Sequence, residues 1–149
     1  MGQGSILQCR KCGLYLEACL GVGAYDVIIR QEIRRDMRNG VYGEVIKEAS
    51  RRLKAIHQER ALFACDHCGD LVVDNVIDLC EPTINCEHPR HFVMDYQLGD
   101  TYRVVHSVEP KCAKCNNPLR IIKQRPLSNL KCPRCKVKLF VLEDVIDWD

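Results

Sequence analysis

The spacing of apolar positions changes period along this chain. Tyr102-Arg-Val-Val-His-Ser-Val108 alternates as a strand does, and Ser5 to Gln8, Leu14 to Leu20, Leu119 to Ile122 and Val137 to Leu142 read as further short strands. Between Asp26 and Arg60 the period becomes helical. Ile29, Ile33 and Met37 stand at i, i+4 and i+8 on a helix that Asp26 caps and Asn39-Gly40 ends. Ile46, Ala49, Leu53 and Ile56 follow at i, i+3, i+7 and i+10, which predicts a second helix over about Glu44 to Arg60. The short connection between them predicts an αα-hairpin. Arg30, Arg34 and Arg38 form one line on its outer face, read as a solvated surface with Glu32 and Glu48 among its intrahelical partners.

Cysteines punctuate the strands. Four Cys-x2-Cys pairs occur: Cys9/Cys12, Cys65/Cys68, Cys112/Cys115 and Cys132/Cys135. Each such knuckle turns the backbone so that two thiolates face one ion, and two knuckles complete a tetrahedral four-sulfur zinc site. Cys112-x2-Cys115, a sixteen-residue gap and Cys132-x2-Cys135 have zinc-ribbon spacing, so these four cysteines are read as one site. Cys9, Cys12, Cys65 and Cys68 then make the other, with the hairpin as an insertion between its halves. The alternative is a cross-pairing of knuckles between the two halves of the chain. The expected fold is α+β, with two four-cysteine zinc ribbons on small antiparallel sheets and a helical hairpin inserted in the first. The expected domains are residues 1–100 and 101–149. A weak internal repeat, Asp74-Asn-Val-Ile-Asp-Leu79 against Glu143-Asp-Val-Ile-Asp-Trp148, each shortly after a knuckle, favours two related units.

Composition agrees with bound metal. Eleven cysteines, eight of them in knuckles, suit neither the scatter nor the even count of a secreted disulfide framework. A reducing cytoplasm with two zinc ions per chain is the expectation. No run approaches a membrane span or a secretory signal, and Ile6 stands where a myristoylation motif needs Ser or Thr. The formal charge of +2 becomes −2 once two dianionic zinc–thiolate centres are counted. The distribution is uneven: from Lys111 to Leu142 there are nine basic residues and no acidic one. Lys123, Arg125, Arg134 and Lys136 are the expected phosphate contacts if that stretch binds DNA or RNA. The opposing reading is that these cations compensate the thiolates.

Other motifs carry less. Gly21-Val-Gly23 lacks the third glycine of a dinucleotide fingerprint and reads as a turn. His57-Gln-Glu59 matches the first half of a zinc-deaminase pattern, but no knuckle carries the required preceding proline, and both residues fall on the expected second helix. Cys80, Cys86, His88 and His91 offer donors for a third zinc. Their spacing fits no standard pattern, and Pro82 and Pro89 mark an irregular surface loop.

The opening Met-Gly-x-Gly, Cys9-x2-Cys12-Gly13, Leu20-Gly-Val-Gly23, Asn39-Gly-x-Tyr-Gly43, Cys65-x2-Cys68-Gly69 and the final Cys132-Pro-x-Cys135 resemble small bacterial proteins with paired zinc ribbons, common in Firmicutes. The resemblance implies a cytoplasmic zinc protein and brings no activity or substrate with it; it does not extend to Cys80, Cys86, His88 and His91. Closed four-cysteine sites hold folds rather than perform catalysis, so the chain is read as non-catalytic. Nucleic-acid binding through the basic ribbon is the first expectation. A protein-interaction adaptor or regulatory subunit is the second, using the hairpin, as a homodimer or with a partner, and the acidic end Glu143, Asp144, Asp147, Trp148 and Asp149. A zinc enzyme using the 80–91 loop is the third.

Overall fold

In a computed structural model, which describes residues 2–123 and 125–148, the chain is α+β, with two helices and two small sheets. β1 (Gly2–Gln8) and β2 (Tyr15–Leu20) form a hairpin around the first knuckle. Helices α1 (Asp26–Asn39) and α2 (Glu44–Arg52) follow, then β3 (Ala55–Ala64) and β4 (Leu71–Pro82) around the second knuckle. β5 (Phe92–Val93), β6 (Tyr102–Ser107), β7 (Arg120–Ile121) and β8 (Phe140–Trp148) complete the order. One sheet runs β2-β1-β8; the other runs β5-β3-β4-β6, with β7 added on β3.

The chain divides into two units by interleaving, not by a cut near residue 100. One comprises Met1–Gly23, Arg60–Asn75 and Glu109–Asp149; the other comprises Ala24–Glu59 and Val76–Val108. The segment between the first two knuckles therefore carries more than a hairpin. Its helices share their unit with the first half of β3, the second half of β4, β5 and β6.

In the helical unit, Ile33 and Met37 of α1, Ile46 and Ala49 of α2, Leu53, Ile56, Ile77 and Leu79 form one buried cluster. The apolar stripe read as helical is all present, but the second helix ends at Arg52 and Leu53 is extended. Successive residues Ala55, Ile56, His57 and Gln58 are all buried, which is the signature of an interior strand covered on both faces. Ile56 thus meets the helical spacing while standing on β3. α1 begins at Asp26 itself, with Tyr25 in the cap position and no side-chain cap bond; Gly40, at φ +78°, ends it as expected. Of the arginine line, Arg38 is exposed as expected, but Arg30 and Arg34 are engaged within the unit. Arg30 is buried and donates Nε–H to Gln58 Oε1 at 3.1 Å, Arg34 donates to the carbonyls of Lys54 and His91, and both guanidinium groups stand over the Phe92 ring.

The cysteine-rich unit has its own core of Leu7, Leu14, Ala18, Leu20, Leu62, Ala64, Leu71, Leu127, Leu130 and Leu139, continuous with buried Cys9 and Cys132. β1 lies between β2 and β8, so the acidic C-terminal stretch is the outer strand of a sheet, with Gly2 opposite Trp148. Asp149, the last residue of the expected acidic surface, lies outside the described residues.

Candidate metal centres and the basic groove

All four knuckles use one backbone device. The amide of the first cysteine donates across the turn, Cys9 to Leu14, Cys65 to Asp70, Cys112 to Asn117 and Cys132 to Val137, at 2.8–2.9 Å. The carbonyl of that cysteine accepts from the residue after the second cysteine: Gly13, Gly69, Asn116 or Lys136. Those four residues have φ of +74°, +73°, +58° and +59°. A left-handed residue closes each turn, and glycine and asparagine take that conformation most readily. In every knuckle the first cysteine is buried and the second lies nearer the surface.

Two groups of four sulfurs result: Cys9, Cys12, Cys132 and Cys135, and Cys65, Cys68, Cys112 and Cys115. The expected eight cysteines are all used, but the partners differ from the ribbon assignment. The knuckles cross-pair. Strand pairing supplies the reason. β1 delivers the first knuckle and is antiparallel to β8, which leaves the fourth, with Gln8 opposite Phe140. β3 delivers the second and is antiparallel to β7, which leaves the third, with Ala64 opposite Arg120. Each knuckle is thereby set beside the one whose outgoing strand pairs with its incoming strand, however far apart they lie in sequence.

The donor sets fit zinc. Within the groups, Sγ–Sγ separations are 3.7 Å for Cys12–Cys132, 3.4 Å for Cys65–Cys115 and 3.6 Å for Cys68–Cys112. A tetrahedron with Zn–S bonds of about 2.3 Å has edges of about 3.8 Å, so a single ion at the centre of each group reaches all four sulfurs after a shift of tenths of an ångström. Before metal enters, each group holds a thiol pulled down and another pushed up. Hydrogen bonding from the Cys12 amide lowers Cys9 to about 7, and the Asn117 side chain lowers Cys115 to about 6. The Cys12 sulfur pushes Cys135 up to about 12, and burial does the same for Cys68.

The surroundings treat the two groups differently. Asp66 and Asp70, beside the second knuckle, take up three of the nine cations of the 111–142 stretch: Arg120 forks onto Asp66 at 2.8 and 2.9 Å, and Lys114 and Arg134 meet Asp70 at 3.0 and 3.2 Å. The Arg120 bonds hold the Asp66 carboxyl below its ordinary value and raise Arg120. Arg134, an expected phosphate contact, also donates to the carbonyl of Gly69. Lys123 and Lys136, two further expected contacts, line one groove of about 440 Å³ together with Lys131, Arg120 and Asn129. Arg125, before the cis peptide to Pro126, does not line it. Lys131, immediately before Cys132, lines it without being among the expected contacts.

The expected alternative donors behave otherwise. Cys80 is buried on β4 with Val93 and Tyr102, while His88 and His91 are exposed. Among the described residues, Cys80, Cys86, His88 and His91 do not gather into a metal-holding group. A different group does form, His57, Glu59 and Asp95. No family model, curated protein or solved structure matches the chain. No helix among the described residues is long and apolar enough to cross a membrane.

Proposed function

We propose that the chain is a zinc protein whose two thiolate centres are structural, and which binds nucleic acid through phosphates in the groove beside Cys132. Four thiolates leave no open position on zinc for water or substrate, so the centres fix the strands that carry the groove. The observation that carries the reading is the convergence of Lys123, Lys131 and Lys136 with Arg120 on one concave surface. Lys123 and Lys131 make no ion pair among the described residues, so their charge is available to a ligand. Phosphate contacts of this kind carry little sequence preference, since they release counterions without reading bases. The protein is non-catalytic in this reading and works in a reducing cytoplasm, alongside the bacterial paired-ribbon proteins that its motifs resemble.

The test is affinity for mixed-sequence DNA and RNA, measured with zinc-loaded protein at two salt concentrations. Three to four phosphate contacts predict a loss of roughly a hundredfold for a fourfold rise in salt. Lys123→Glu with Lys131→Glu removes most binding and leaves zinc content at two per chain, because neither residue is a ligand. Absence of binding at low salt overturns the reading and leaves the basic residues as partners of the thiolate centres.

A second reading is favoured in that case. The hairpin carries exposed Val27, Ile28, Val41 and Val45, with Tyr25 just before it, an apolar surface suited to a second copy or a protein partner.

A further inference from the structure

The third donor group lies in the helical unit and shares no residue with a cysteine knuckle. His57 and Glu59 stand at i and i+2 on β3 and so project from one face of the strand. β5 runs parallel to β3 with His57 opposite Val93, and two residues further on Asp95 opens a 3-10 turn. This register brings Asp95 alongside Glu59. A ring nitrogen of His57 and one carboxylate oxygen from each acid lie within 4.8 Å of one another.

One ring nitrogen of the imidazole is already held by a carboxylate. His57 is 2% exposed, and its Nδ1–H donates to Asp78 Oδ2 at 3.1 Å. The other oxygen of Asp78 accepts from Ser107 Oγ at 2.6 Å, so the carboxylate is itself anchored from the neighbouring strand. With the proton on Nδ1, Nε2 presents a lone pair. That atom is buried and has no hydrogen-bond partner. An unmet buried acceptor is costly in a folded interior and calls for a ligand. Two carboxylates beside it supply negative charge, and a carboxylate behind a histidine is the arrangement that orients imidazole toward a metal and raises its basicity.

We propose that His57, Glu59 and Asp95 bind one divalent first-row metal ion, with water in the remaining coordination positions. The donor set is one imidazole nitrogen and two carboxylate oxygens, harder than the thiolate groups and suited to Mn2+ or Fe2+, whereas the sulfurs select zinc. Asp78 is the positioning residue: it touches the imidazole and not the ion. This site is open, unlike the four-cysteine centres, so it is the place in the molecule where a metal-bound water or an anionic ligand is accommodated.

The experiment uses the full-length, zinc-loaded protein and Mn2+ as the probe, with free Mn2+ followed by its electron paramagnetic resonance signal. The expected result is one Mn2+ bound per chain with zinc retained. Asp95→Asn, at an exposed position where folding is undisturbed, weakens binding at least tenfold, and His57→Gln abolishes it. Asp78→Asn weakens it by roughly ten- to a hundredfold, the effect of losing an outer partner. Glu87→Gln, in the 80–91 loop, leaves it unchanged. No binding by wild type at millimolar Mn2+ overturns the proposal. So does binding that Asp95→Asn leaves as tight as wild type, which assigns the Mn2+ to other surface acids.

Discussion

Cys12 and Cys132, 120 positions apart in the chain, hold their sulfur atoms 3.7 Å from each other. Within the 111–138 stretch the nearer neighbours Cys112 and Cys132 belong to different groups of four. A substitution therefore reports the pairing. Cys132→Ser opens the centre that ties β1 to β8 and frees the Cys9–Cys12 knuckle, while the centre of Cys65, Cys68, Cys112 and Cys115 keeps its ion. Cys112→Ser does the converse. The measurement is thiol alkylation of each variant followed by mass spectrometry, with zinc analysis expected to fall from two to about one per chain. Protection of Cys9 and Cys12 in the Cys132→Ser variant contradicts the cross-paired arrangement.

The cysteine chemistry was legible because a knuckle is a local object: two thiols, a turn and a left-handed residue after the second cysteine. Gly13 and Gly69 announce that turn, and Asn116 and Lys136 complete the same geometry less visibly. The partner of each knuckle was not legible. It depends on the register of β1 with β8 and of β3 with β7, which no spacing along the chain reports, and the sixteen-residue gap between Cys115 and Cys132 makes the wrong local pair look sufficient. The same limit explains His57-Gln-Glu59. On a helix its two ends diverge; on β3 they share a face, and Asp95 and Asp78 reach them only through strand pairing. Arg30 misled for a related reason, since its partner Gln58 lies on a strand that helical periodicity had absorbed.

Gly4 tests the strand contact that sets the first centre. A Cβ added there would collide with Ile146 Cβ and stand 2.5 Å from the Ile146 carbonyl oxygen, closer than real Cβ contacts come. Backbone cannot give way as a flexible side-chain tip does, so Gly4→Ala must part β1 from β8 locally. The expected cost is about 1–3 kcal/mol, the usual scale of overpacking, read as a lowered midpoint in denaturant unfolding of the zinc-loaded protein. Gly2→Ala, at the strand end, is the comparison. A Gly4→Ala protein as stable as wild type is incompatible with the close approach to Ile146.

Acid should empty both thiolate centres. Zinc binds thiolates, so the metal-bound state carries fewer protons than the metal-free one and affinity falls as pH falls. Cys135 and Cys68, both pushed up to about 12, are protonated in metal-free protein across the neutral range, so each centre releases at least their proton on binding zinc. Cys9, lowered to about 7 chiefly by the Cys12 amide, and Cys115, lowered to about 6 chiefly by the Asn117 side chain, are the thiols that take up a further proton as pH falls below neutrality. Titrating zinc-loaded protein downward in pH with a chromogenic zinc indicator should show both ions released on the acid side of neutrality. Asn117→Ala removes the side chain that lowers Cys115, so the ion of the Cys65, Cys68, Cys112 and Cys115 group should leave at higher pH, while the other group releases as in wild type. A release that Asn117→Ala does not shift is the result that contradicts this coupling.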